Sequence, residues 1–170
     1  MTVAGRIAER LHVAVVGGGH APPEECDQAA RVGRALAEAG TVVVCGGLGG
    51  VMEAACRGAR DGGGTSIGIL PGSDRDAANA YVDVAVATGM GEGRNVLVVR
   101  CADALVAVGG EFGTLSEVAL ALQAGIPVVG LGTWELAKGG RPVHGVIAAS
   151  NPEQAADLAV REAARRRGGR

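Results

Sequence analysis

Glycines follow three short apolar runs of the 170-residue chain, at positions where a bound anion could be held. Gly is favoured where the backbone bends sharply or approaches a ligand closely. Loops that follow parallel strands converge at one edge of a sheet, and free N–H groups at helix starts attract anions there. The sequence therefore predicts a phosphate-sized anion site formed by Gly17, Gly18 and Gly19, by Gly46, Gly47, Gly49 and Gly50, and by Gly109, Gly110 and Gly113.

Thr114 and Glu117 follow the third glycine cluster, in the stretch VGGEFGTLSE. The spacing T-x-x-E is that of a capping box, in which the two side chains accept hydrogen bonds from orphan N–H groups at a helix start. The same carboxylate could instead face a ligand. Spacing alone favours capping over catalysis, and Glu53 is explained in a similar way, as an acidic residue in a first helical turn.

Two further residues lie in loops that should reach the same sheet edge. Arg94 follows the glycine-rich turn TGMGEG, and His20 lies in GGGHAPP. An isolated Arg is usually a solvated surface residue, and a lone His in a loop is more often structural or exposed than catalytic. Arg94 could nevertheless reach an anion held by the glycines, because its loop also ends a strand.

Common nucleotide and metal motifs are absent from the sequence. The third glycine of a GxGxxG fingerprint would fall at Pro22, and no GxxxxGK[ST] segment occurs. The four cysteines form no CxxC pair, which argues against a metal site or a disulfide framework and favours reduced, buried thiols. We therefore expect neither an ordinary NAD fold, nor a P-loop NTPase, nor a bound metal.

Short β-branched runs alternate with Ala-rich segments along the whole chain. This alternation predicts a single α/β domain over residues 1–170, with a core at about 11–167 and a Rossmann-like, doubly wound, mostly parallel sheet of about seven strands. Continuous apolar strands indicate helices on both faces. Expected helices span about 23–39, 51–60, 114–124 and 152–167, and the polar segment 71–81 is a loop of functional length.

Charge and hydropathy narrow the class of partner. The net charge of −2 does not indicate the excess of basic residues that is typical of nucleic-acid-binding proteins. The basic end REAARRRGGR is explained by the favourable interaction of positive charges with the dipole at a helix C-terminus. No apolar run approaches the length that spans a bilayer, and no signal peptide opens the chain. These patterns predict a cytoplasmic protein that binds neither nucleic acid nor membrane.

The chain resembles the Lonely Guy (LOG) family of Rossmann-like proteins, whose wider relatives include DNA-processing protein A. The resemblance rests on TVVVCGGLGGVMEAACRGARDGGGTSIGILPG, TGMGEGRN and ADALVAVGGEFGTLSEVALALQAGIPVVGLG, which together cover roughly half of the chain. The family motif PGGxGTxxE has Val108 in place of its Pro and is matched at Gly109, Gly110, Gly113, Thr114 and Glu117, with one extra residue between Gly110 and Gly113. Arg94 matches the first residue of a preceding Arg-Lys pair, and Asn95 stands where Lys is usual.

LOG enzymes are phosphoribohydrolases that split the N-glycosidic bond of nucleoside 5'-monophosphates into base and ribose 5-phosphate. The resemblance implies that Glu117 and Arg94 are the catalytic pair and that the loop from Gly109 to Thr114 holds the phosphate. The remaining ligand contacts that we predict are Gly17, Gly18, Gly46, Gly47, Glu53 and Asn95. The family also implies a homodimer or homotetramer.

The chain resembles more closely the branch that contains molybdenum cofactor carrier proteins in its forms TGMGEGRN and VGGEFGTLSE, its loop PGSDRDAANAY and Glu53. For that branch the resemblance implies a bound pterin phosphate or nucleotide without assured hydrolysis. No cofactor is required for glycosidic hydrolysis, and the compatible ligands are a nucleotide such as AMP or the molybdenum cofactor. An older label of lysine decarboxylase for some members does not fit, because Lys138 is the only lysine and lies away from the glycine loops.

Overall fold

The computed structural model describes residues 9–169. This part of the chain contains five α-helices and nine strands. The helices are α1 (Pro23–Glu38), α2 (Val51–Asp61), α3 (Asn95–Arg100), α4 (Phe112–Gln123) and α5 (Pro152–Gly168). The strands are β1 (His12–Gly17), β2 (Val42–Cys45), β3 (Thr65–Leu70), β4 (Val84–Ala87), β5 (Ala104–Val108), β6 (Val128–Leu131), β7 (Ala137–Lys138), β8 (Arg141–Pro142) and β9 (Val146–Ala148).

Seven strands form one sheet in the order β4-β3-β2-β1-β5-β6-β9, and every pairing in it is parallel. The predicted fold class is therefore confirmed: a single α/β domain with a Rossmann-like, doubly wound sheet of seven strands. The antiparallel pair of β7 and β8 was not predicted, because two-residue strands leave no periodic pattern in a sequence.

Helices cover both faces of the sheet, as the continuous apolar strands predicted. One buried cluster joins β1, β2, β5 and β6 to α1, α2 and α5, and a second joins the other face of the sheet to α3 and α4. The core is built from Val, Ala and Leu rather than aromatic rings. Close packing of α1 on α2 uses glycine, since a Cβ on Gly33 or Gly58 would collide with the facing backbone.

Helix and strand ends follow local chemistry. Asn151 caps α5 by accepting a hydrogen bond from the N–H of Gln154, and Gly40 and Gly125 follow α1 and α4 with positive φ, as predicted. Strand β4 begins two residues later than VDVAVA suggested. The reason is Asp83, whose carboxylate accepts from the N–H of Ser66 at 2.8 Å and interrupts the run.

The cysteines are free thiols, as expected, but they are not all buried. Cys101 is exposed and Cys26 is half-buried, whereas Cys45 and Cys56 are buried with their Sγ atoms 3.4 Å apart. Contact with Cys56 and burial raise the pKa of Cys45 well above its ordinary value.

Among residues 9–169, no helix is both long enough and apolar enough to cross a bilayer.

Candidate functional site

A cavity lies at the point where the strand order reverses. Strand β1 pairs with β2 on one side and with β5 on the other, so their following loops separate at the carboxyl edge of the sheet. Ligands of open α/β sheets bind in the crevice at such a switch point. Here the crevice is a cavity of about 960 Å³, bordered by the loops after β1, β2 and β5 and by residues 92–96.

The N-terminus of α4 opens into this cavity. Helix α4 begins at Phe112 after Glu111, which makes no side-chain capping bond, and Gly110, Glu111, Phe112, Gly113 and Thr114 all line the cavity. The first hydrogen bond to an upstream carbonyl runs from the N–H of Leu115 to Glu111 O, at 2.9 Å. The preceding N–H groups are therefore the orphan donors of the helix start, which is the arrangement that binds phosphate.

The interpretation of Thr114 and Glu117 as a capping box is wrong. The helix starts two residues before Thr114, so both residues lie within α4, where as whole residues they are 3% and 6% exposed. The early start is made possible by Gly109 and Gly110, whose φ values are 51° and 91°. Thr114 packs against Gly110, where a Cβ would collide with its side chain, so only glycine fits that position.

Glu117 is paired with Arg94 at the buried side of the cavity. Glu117 Oε1 lies 3.7 Å from Arg94 Nη1, and the arginine is 8% exposed rather than the solvated surface residue that its isolation suggested. Burial raises the pKa of Glu117 to about 7, and the positive charge of Arg94 partly opposes that rise. A carboxyl group that titrates near neutral pH is suited to acid–base chemistry.

Neighbouring backbone and side chains hold Arg94 in place. Its Nη1 donates to Asn95 Oδ1, and its Nη2 makes a long hydrogen bond of 3.5 Å to Gly46 O. Asn95 in turn donates from Nδ2 to Ser116 Oγ at 3.1 Å, which links this cluster to α4. Among the described residues Arg94 Nε has no hydrogen-bond partner, although it is buried. Buried polar groups in proteins usually have a hydrogen-bond partner, so this donor is available to another group.

Most of the predicted site residues line this cavity, namely Gly17, Gly18, Gly19, Gly46, Arg94, Asn95, Gly110, Gly113, Thr114 and Glu117. Five others do not, and two of these, Gly49 and Gly50, lie between β2 and α2. Gly47 packs against Gly68 and Leu70, Glu53 is exposed on α2, and Gly109 borders a smaller neighbouring pocket of about 270 Å³.

The cavity also contains side chains that sequence reasoning did not single out. Glu25 lies between the two pockets and borders both, while Glu92 and Phe112 lie at exposed positions on the main cavity. His20 was considered and is exposed on the lining. Position 25 could have been found from the sequence, because PPEE places Glu25 in the first turn of the helix that follows the first glycine loop.

No group of three or more His, Cys, Asp or Glu side chains capable of holding a metal occurs within the described part of the chain. The lining combines backbone donors, Arg94 and several carboxylates. This set places N–H donors, a guanidinium and the Glu117 carboxyl group around one cavity.

Comparison with known proteins places this arrangement in a family. The chain is 40% identical over 150 residues to an uncharacterized protein of Archaeoglobus fulgidus. The aligned region covers 88% of this chain and 95% of the relative. The molybdenum cofactor binding protein from the phototrophic bacterium Rippkaea orientalis is 35% identical and has a similar structure, with a TM-score of 0.80 over 88% of this chain and 94% of that one.

The molybdenum cofactor carrier protein from Chlamydomonas reinhardtii is similar to the same extent. It is 33% identical, and the match covers 91% of this chain and 99% of that chain, with a TM-score of 0.80. The model of the SLOG cluster4 family matches residues 10–156, which include every strand of the sheet and all of the cavity lining. The chain is a member of the SLOG cluster4 family.

Proposed function

We propose that the protein binds a phosphorylated, nucleotide-like ligand and hydrolyses the N-glycosidic bond of a nucleoside 5'-monophosphate. The observation that carries this proposal is the buried pair of Glu117 and Arg94, one helical turn from the orphan N–H groups of α4. A phosphate bound at those N–H groups leaves the attached sugar within reach of the Glu117 carboxylate.

The reaction would use the charges of the pair in different ways. The bond between the sugar C1' and the base nitrogen breaks, its electrons leave with the base, and the sugar develops the positive charge of an oxocarbenium ion. The Glu117 carboxylate stabilises that charge or accepts a proton from the attacking water, whose oxygen bonds to C1'. The base takes up a proton, and the products are free base and ribose 5-phosphate.

Arg94 would orient these groups. Its guanidinium keeps part of the Glu117 population ionised by its positive charge, and its unpartnered Nε is a donor for a phosphate or sugar oxygen. Asn95 holds Arg94 through Nη1, in place of the lysine that is usual in LOG enzymes. Asn95 is therefore a positioning residue in this scheme.

A second candidate is a carrier that holds its ligand without hydrolysis. The observation in its favour is the similarity, at 33 to 35% identity over about nine-tenths of the chain, to proteins that bind or carry the molybdenum cofactor. The anion site at α4 suits a pterin phosphate as well as a nucleotide, because both present a phosphate beside a planar ring. This candidate needs the cavity but no catalytic role for Glu117.

Incubation with each common nucleoside 5'-monophosphate, followed by chromatography of the released base, separates the two candidates. Stoichiometric release of base and ribose 5-phosphate over many turnovers supports the hydrolase. A protein that releases no base from any of them, and that retains a pterin phosphate through gel filtration as shown by mass spectrometry, supports the carrier and refutes the hydrolase.

A further inference from the structure

The rim of the main cavity carries an aromatic pair that the mechanism does not use. Phe112 is 78% exposed, and its ring centroid lies 5.5 Å from that of Trp134 at an interplanar angle of 40°. The chain contains only one Phe, one Trp and one Tyr, so two of its three large aromatic rings lie at this place. Single exposed apolar residues are ordinary in proteins, and the significance of Phe112 depends on its position.

Phe112 lies beside the anion site and belongs to the cavity. It is the first residue of α4, within the same turn that supplies the orphan N–H groups, and it is the only Phe, Tyr or Trp among the described residues to line the main cavity. Trp134 borders the smaller pocket instead. The indole therefore packs on the Phe112 ring without occupying the space in which a ligand would lie.

The aromatic pair is held in place before any ligand binds. Trp134 donates from Nε1 to Glu111 O at 3.2 Å, which ties the indole to the residue immediately before Phe112. Thr133 donates from Oγ1 to Gly109 O at 2.6 Å, so the segment carrying Trp134 is anchored at two points of the glycine turn. An ordered ring loses little conformational freedom when a ligand stacks on it.

We infer that Phe112 is the stacking surface for the planar heterocycle of the ligand, supported from behind by Trp134, and that it selects ligands with a base over bare sugar phosphates. This inference rests on the proposed function, because it places the phosphate at the N–H groups of α4. With the phosphate there, a heterocycle joined through a ribose-sized spacer reaches the neighbouring ring. Stacking of a base on an aromatic side chain contributes affinity without requiring one particular base.

The test compares the affinities for AMP and for ribose 5-phosphate, which shares the sugar and phosphate but has no base. Titration calorimetry is done in a Glu117→Gln background, so that AMP is not consumed. Phe112→Leu should weaken AMP binding by roughly 5- to 150-fold, the range expected for losing one stacked base, and change ribose 5-phosphate binding less than about twofold. Phe112→Tyr should keep the AMP affinity, and Val84→Ala, which shortens an exposed side chain on β4, is the control.

Three results would overturn the inference. Equal losses for AMP and ribose 5-phosphate would show that Phe112 only shapes the phosphate turn. An unchanged AMP affinity in Phe112→Leu, with a shift of oligomeric state in gel filtration, would show that a second copy of the chain covers the ring. If the protein that keeps Phe112 binds neither AMP nor ribose 5-phosphate, the proposed function fails as well. That result differs from one in which both compounds bind with the same affinity, which contradicts only the role of Phe112.

Discussion

Glu117 Oε1 and Arg94 Nη1 lie 3.7 Å apart, with the two side chains 8% and 10% exposed, so they are adjacent without a direct charged hydrogen bond. Such bonds between a guanidinium and a carboxylate are usually about 2.7–2.9 Å long. The separation has a cause, because Arg94 directs Nη1 to Asn95 and Nη2 to Gly46. The Glu117 oxygens therefore remain available to a ligand while the nearby positive charge favours their ionised form.

Removing the Glu117 charge should abolish turnover and spare binding. In Glu117→Gln we expect base release to fall by about 10²- to 10⁴-fold, the usual contribution of a positioned acid or base, with little change in AMP affinity. Steady-state release of base and calorimetric titration measure the two quantities. Glu38→Gln, an exposed change near the C-terminal end of α1, is the control and should retain wild-type rates. Full turnover in Glu117→Gln would remove the catalytic assignment.

The rate of base release should depend on pH through Glu117. If the ionised carboxylate is the active form, the rate rises with pH around an apparent pKa of about 7. Arg94 lowers the pKa of Glu117, so Arg94→Gln should move the rising limb to higher pH as well as reduce the rate. A pH–rate profile of both proteins checks this, and an identical apparent pKa in the two would contradict the coupling.

The pH dependence of folding stability should also reflect the raised pKa of Glu117. Because burial raises the pKa of Glu117 from 4.5 to about 7, protonation favours the folded state. This contribution is complete below about pH 4.5 and is lost as pH rises through 7, by up to about 3 kcal/mol for a shift of that size. The wild type should therefore lose stability from pH 5 to pH 8, whereas Glu117→Gln should not lose this contribution. The melting temperature of the variant relative to that of the wild type should rise over this range. Parallel curves in thermal scans would show that the pKa is not raised.

Alanine substitutions at the two ends of α4 distinguish an effect of backbone strain on stability from an effect on ligand binding. Gly110 and Gly125 both have positive φ, so an alanine at either costs about 1–2 kcal/mol of stability. A Cβ at Gly110 would also collide with Thr114 beside the proposed phosphate position, whereas the space around Gly125 is open. We expect Gly110→Ala to lose AMP binding and Gly125→Ala to keep it, as measured by calorimetry and thermal unfolding. Equal affinities in the two variants would show that the anion is not held at this turn.

Much of the architecture could be predicted, because alternating apolar runs report directly on buried strands and the helices that cover them. The convergence of three glycine loops could be predicted for the same reason, since parallel strands end at one edge. Side-chain direction could not. Glu53 and Glu117 both follow a glycine loop in a first helical segment, yet Glu53 is exposed and Glu117 is buried in the cavity wall.

The sequence by itself determined the fold class, the edge of the sheet at which the glycine loops meet and the absence of the common nucleotide motifs, because these depend on short-range patterns. Only the tertiary structure decided where α4 begins, and therefore that Thr114 and Glu117 are not a capping box. It also decided that Arg94 is buried against Glu117, and that Phe112 lies on the cavity with Trp134 behind it. These contacts join residues from separate loops, and their formation depends on packing across the sheet that no local spacing encodes.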